Sequence, residues 1–212
     1  MRHWKKSREK WGILKKFFVL IVFVLLVACS DISQNEELVT IEPKKESETI
    51  VSAERLGLGP IFEFDITYPD PENTQMQVWL ELYENGEEVS DEQGQLRTYH
   101  ENLRSKSQSI GWVTIDMNGE QLDLRLYDYD GENSSVASSK KDNILTFNLT
   151  AQSYLIEGKT SLQQGEELAL ATLYQSEDNY TREFNTLEEL IEHHNLVYVM
   201  KIKVEEKIGG GA

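Results

Sequence analysis

The residues with the clearest capacity for chemistry stand in one run, Asp128-Tyr129-Asp130-Gly131-Glu132-Asn133. Oxygen-bearing side chains alternate ahead of a glycine, as at the start of a calcium-binding loop. A complete loop of the EF-hand kind needs a third Asp or Asn before the glycine and a bidentate Glu beyond it. Both are missing here, and Lys140 and Lys141 are the next charged residues. Asp128, Asp130 and Glu132 are thus candidate ligands for a weak calcium site at most. The stretch reads first as a turn between strands, where Asp and Gly are favoured for their backbone conformations. No metal or other cofactor is expected.

The remaining reactive side chains are scattered. His193 and His194 are adjacent, with His100 far upstream. Zinc-binding pairs on a helix sit at i and i+4, whereas adjacent residues point about 100° apart. These histidines read as partners of a helix C-terminus. Asp116 and Asp123 flank an Asn118-Gly119 turn. Paired carboxylates can hydrolyse glycosides when held about 5–9 Å apart, but a chain with 37 acidic residues holds such pairs by chance. No nucleophile elbow, Ser-x-x-Lys, P-loop or dinucleotide glycine motif is found, so no catalytic residue is assigned. Trp79 with Tyr83, and Tyr127 with Tyr129, share strand faces opposite aliphatic ones. Such aromatic rows bind sugars, peptides or proteins when they face solvent, and pack as core when the face is covered.

The elements that must carry these residues are strands. Phe62, Phe64 and Ile66 alternate, as do Met76, Val78, Leu80 and Leu82, ahead of Asn85-Gly86. Ile110 to Met117 and Leu122 to Leu126 flank Asn118-Gly119 as a predicted hairpin with a type I′ turn. Residues 143–149, 153–157, 168–174 and 196–204 add strand candidates. Period-two strands with one apolar face predict an antiparallel β-sandwich over residues 53–207, immunoglobulin-like or jelly-roll in topology. The Cys–Trp–Cys pattern of true immunoglobulin domains is absent. One short helix is predicted from the capping box Thr186-Leu187-Glu188-Glu189. Leu187, Leu190 and Ile191 form its apolar face, placed over an open end or edge of the sandwich. Residues 208–212 are expected to be a disordered tail.

The start of the chain has a different character. Seven Lys or Arg and a single Glu precede Phe17 to Ala28, an apolar run of twelve residues. This is too short to span a bilayer, which takes about 20 residues, and has the build of a secretory leader. It ends in Leu26-Val27-Ala28-Cys29, and Cys29 is the only cysteine. These four residues resemble the lipobox of bacterial lipoproteins. The resemblance implies cleavage between Ala28 and Cys29, with removal of residues 1–28, and diacylglyceryl modification of Cys29. It also implies a place on the extracytoplasmic face of the cell membrane. Two acyl chains, at about 0.8 kcal/mol per buried methylene, hold a protein stably on a bilayer. Residues 29–52, polar and charged, are expected to be a disordered tether.

The charge narrows the partners. The chain carries a net −16, and without residues 1–28 the remainder carries 14 basic and 36 acidic side chains, a net −22. Such a body is unsuited to nucleic acid and is repelled by anionic lipid. The sequence therefore predicts a non-catalytic, membrane-anchored envelope module that binds a protein, a peptide or a glycan. A cell-wall hydrolase and a self-protection lipoprotein directed at a cationic antimicrobial peptide are the alternatives.

Overall fold

The computed structural model describes residues 38–89, 96–101, 103–117, 119–145, 150–175 and 184–207. Cys29, the predicted leader and residues 208–212 lie outside them. The described strands are β1 (Val39–Pro43), β2 (Ile61–Thr67), β3 (Thr74–Glu84), β4 (Glu87–Glu88), β5 (Leu96–His100), β6 (Ser107–Met117), β7 (Gln121–Tyr129), β8 (Ser134–Asp142), β9 (Thr150–Tyr154), β10 (Thr160–Leu162), β11 (Glu167–Gln175) and β12 (Leu196–Glu206). Two short helices, α1 (Glu48–Arg55) and α2 (Leu187–His193), join them. The fold is mainly β, as expected: two antiparallel sheets. One has the order β10-β1-β2-β6-β7-β8. The other runs β4-β3-β12-β11-β9, with β5 also paired to β3.

The predicted alternation places the core between the sheets. Met76, Val78, Leu80 and Leu82 of β3 meet Phe62, Phe64, Ile66, Ile110, Leu122, Leu124 and Leu126 of the facing sheet. Trp112 stacks on its cross-strand neighbour Phe62 at 5.1 Å and reaches Tyr198 across the sandwich at 6.2 Å. Asn85 and Gly86 both have positive φ, as a type I′ turn requires, and link β3 to β4. The β6–β7 hairpin differs from expectation: Met117 pairs with Gln121, leaving three residues in the connection, not two. Gly111 in mid-strand has a packing cause. A Cβ there would lie 2.1 Å from the ring of Tyr127, its cross-strand partner.

Three expectations are corrected. The disordered tether does not reach residue 52. Val39 and Ile41 are buried, and β1 pairs with both β2 and β10; Ser47 caps α1 by accepting the Ile50 amide at 3.2 Å. Low mean hydropathy hid this segment because only four apolar residues, Val39, Ile41, Ile50 and Ala53, anchor it. Residues 143–145 are not strand, whereas Ser134–Asp142, with no apolar alternation, is β8. An edge strand exposed along most of its length needs no apolar face.

The third correction concerns α2. It does not close an end of the sandwich but lies on the outer face of the β3-β12-β11 sheet. Leu190 and Ile191 form a separate small core there with Tyr174, Val197 and Val199. On the other sheet α1 does the same, placing Ile50 and Ala53 on Ile61 and Val113. Each helix lies in the connection between two antiparallel neighbours, β1–β2 and β11–β12. Thr186 accepts the Glu189 amide at 3.2 Å, and Glu189 reaches back to the Asn185 amide at 3.2 Å. Thr186→Ala is expected to cost about 1 kcal/mol. Leu190→Ala should cost more, about 2–5 kcal/mol, because it opens a buried contact. Urea unfolding of both variants checks the order.

Candidate binding site

Each predicted aromatic pair keeps its shared strand face, but neither forms an open aromatic row. Trp79 is buried on the outer face of its sheet, and Arg97 lies 5.2 Å over its ring. Between Trp79 and Tyr83 on the same face stands Glu81, itself buried. Its carboxylate accepts from Trp79 Nε1 at 2.7 Å, Tyr83 OH at 2.7 Å and Lys201 Nζ at 2.6 Å. These three donors spend themselves on one carboxylate, so the row is a structural cluster. Tyr127 is half-buried over Gly111, its phenol pushed up by burial and by the Glu63 charge. Tyr129 alone is half-exposed, and its hydroxyl donates to the Gly131 carbonyl at 2.8 Å.

His193 and His194 stand in an aromatic cluster. His194 stacks on Tyr174 at 4.4 Å, with His193 and Phe184 edge-on to it at 5.1 and 5.2 Å. Asp116 and Asp123 cannot act as a pair. Asp123 lies opposite Ile115, which puts it on the other face of the sheet from Asp116. Asp123 is buried against Arg125 at 2.5 Å, while Asp116 accepts the Gly119 amide at 2.8 Å.

The candidate calcium run forms the β7–β8 turn. Asp130 Oδ1 accepts the amides of Asn133 at 2.7 Å and Glu132 at 2.9 Å, and these bonds hold its carboxyl below the ordinary value. Asp128 Oδ2 accepts from Ser135, its partner across the ladder, and faces His100 Nδ1 at 3.6 Å. Among the described residues no group of three or more His, Cys, Asp or Glu is placed to hold a metal ion.

Asp128 and Asp130 nevertheless belong to a site. They line a polar cleft of about 300 Å³ with His100, Arg104, Gln108, Asn133, Ser134 and Ser135, and Leu103 as its one apolar wall. Strand ends build it: the last residue of β5, the second of β6, the eighth of β7 and the first two of β8. Glu132 is not among the lining residues. Gln108 is only 7% exposed, and its Nε2 has no hydrogen-bond partner among the described residues. A buried donor without an acceptor costs about 1–3 kcal/mol.

The cleft is not arranged for covalent catalysis. His100 Nε2 is 3.3 Å from Thr98 Oγ1, which suggests a Thr–His–Asp relay. But the Thr98 hydroxyl donates to the Val78 carbonyl at 3.3 Å, and 3.6 Å from His100 to Asp128 is beyond a hydrogen bond. A second, larger cleft of about 530 Å³ lies at the other end of β8. Leu82, Val89, Ile144 and Tyr198 supply its apolar wall, and Glu84, Lys140, Lys141 and Asp142 its charges.

A family model described as the YgaN domain matches residues 56–204. The chain belongs to the YgaN domain family. No curated protein and no solved structure matches it. The YgaN match covers β2 to β12 and the whole lining of the polar cleft, and leaves β1 and α1 outside. Sequence reading had found Asp128 and Asp130 of that lining. It missed Arg104 and Gln108, which carry no motif; Gln108 reaches the cleft through the strand register and Arg104 through the β5–β6 connection.

The Glu81 cluster yields a test against pH. Burial pushes its carboxyl up, but hydrogen bonds from Lys201, Trp79 and Tyr83 outweigh this and lower it below 4.5. A lowered folded value means stability present above pH 4.5 and lost as pH falls through the folded value. Glu81→Gln should cost about 3 kcal/mol at neutral pH by leaving Lys201 without its counter-charge. It should also flatten the acid limb of a stability–pH curve measured by urea unfolding.

Proposed function

We propose that this chain is a lipid-anchored envelope protein whose YgaN domain is a non-catalytic binding module, with the polar cleft as its ligand site. The anchor reading rests on Leu26-Val27-Ala28-Cys29 after a basic segment and a short apolar run. The cluster of acidic residues beyond Cys29 supports a body that stands clear of anionic lipid. The observation that carries the binding reading is a cleft lined by donors and acceptors, with the buried Gln108 donor, which has no partner among the described residues, in its wall. Binding partners of this kind are envelope glycans, peptides or proteins, and nucleic acid is disfavoured by charge.

One experiment separates anchor from binding. The wild-type protein should enter the detergent phase of a Triton X-114 partition, whereas Cys29→Ser should stay in the aqueous phase or remain uncleaved. Released Cys29→Ser protein should still co-sediment with purified cell-wall material, and a Cys29→Ser, Gln108→Leu double variant should not. Detergent partition of Cys29→Ser as cleaved protein would refute the anchor. Equal sedimentation of the two variants would refute the cleft as the ligand site.

A further inference from the structure

We infer that the sandwich is held with one end toward the lipid bilayer, and that this is the end carrying the polar cleft. This rests on the reading of Cys29 as the anchor and adds which surface the membrane meets. The first observation is where the folded domain begins. Val39 pairs with Leu162 and Thr40 with Thr67, so the chain is fixed in a sheet from Val39 onward. Only residues 30–38 lie between Cys29 and that point. The ten Cα steps from Cys29 to Val39 reach at most about 35 Å, whatever their conformation. A domain that began at residue 53 would have a reach of about 80 Å, and neither end would be favoured.

The second observation is the length of the sandwich and the run of its ladders. β3 and β12 pair over eleven residues each, which makes them about 35 Å long at the usual strand rise. Thr40 opposes Thr67, Thr67 opposes Ser107, and Tyr129 opposes both Ser109 and Ser134. The start of β1 therefore shares an end with the β2–β3, β5–β6 and β7–β8 connections, and with Gln108, Asp128 and Ser134 of the polar cleft. The larger cleft, with Glu84, Asp142 and Ile144, stands at the opposite end. An inverted domain would lift Val39 by about 35 Å, which only a fully extended connection to Cys29 could span. A domain on its side would lay a body of net −22 along the bilayer, which charge opposes on anionic lipid. At the cleft end too the carboxylates, among them Asp70, Glu72, Asp130 and Glu132, outnumber Arg104, Lys106 and Lys207. That end thus faces the headgroups across water. A ligand of the polar cleft is met in the layer next to the membrane, and the larger cleft faces outward.

The test is energy transfer from a thiol-linked dye to an acceptor on lipid headgroups. The full-length lipidated protein is placed in vesicles of phosphatidylcholine and phosphatidylglycerol. Cys29 is the only cysteine, so once it is acylated an introduced cysteine is the one thiol to label. Glu72→Cys and Glu132→Cys mark the cleft end, and Glu87→Cys and Glu120→Cys the other; all four side chains are exposed. Dyes at Glu72→Cys and Glu132→Cys should be strongly quenched and those at Glu87→Cys and Glu120→Cys weakly. A Gly/Ser segment of about fourteen residues inserted after Ser30 should abolish the difference, because it lets either end approach. Equal quenching at both ends without the insert, or stronger quenching at Glu87→Cys and Glu120→Cys, would overturn the orientation and leave the anchor standing. A difference that survives the insert would overturn the tether as its cause. Protein that stays off the vesicles altogether would refute the anchor, and the orientation with it.

Discussion

The ladder between β3 and β12 is the interaction on which the rest of the structure depends. It runs without a break from Thr74 opposite Glu206 to Glu84 opposite Leu196, the full eleven residues of each strand. Because side chains alternate, this one register sends Met76, Val78, Leu80 and Leu82 inward with Tyr198, Met200, Ile202 and Val204, and assembles one wall of the core. It sends Trp79, Glu81 and Tyr83 outward beside Val197, Val199 and Lys201. A slip of one residue would exchange the two sets and bury charge in the sandwich.

The outer faces show how a two-sheet domain of this size keeps its polar surfaces ordered. Each sheet has a buried carboxylate on its outer side, Glu81 on one and Glu63 on the other. Glu63 accepts from Ser47 at 2.7 Å and pairs with Lys44 at 3.0 Å. Ser47 is also the cap of α1, so the carboxylate ties the helix to the sheet it covers. Glu81 binds three donors beside the patch that α2 covers. A buried charge left with fewer partners would destabilise the fold, and these clusters therefore specify where the outer layers sit.

The polar cleft follows from strand ends of unequal reach. β5 is short and ends at His100, which leaves the inward side chains of Gln108, Asp128 and Ser135 without a full strand opposite them. Polar residues are tolerated there because the site opens to solvent, while two residues along the same strands Ile110 and Leu126 are fully core. The cleft is thus a by-product of where pairing stops, equipped with side chains that could not be carried further inside.

The amino-acid sequence by itself determined the sandwich. Alternation in β2, β3, β7 and β12, the Asn85-Gly86 turn and the Thr186 cap are local signals, each set by period or backbone preference within a few residues. It also showed the Asp128–Asn133 turn, whose short-range hydrogen bonds need no distant partner. Only the tertiary structure decided the rest. Nothing in Ser134–Asp142 marks a strand, because an edge strand takes its definition from the neighbour that pairs with it. The burial of Trp79 and the placement of α2 on a sheet face were undecidable from period alone, since an outward face becomes core only when another element covers it. Gln108 and Arg104 join Asp128 and Asp130 across two strands, a loop and a turn, a proximity set by strand pairing, which local residue preferences do not encode.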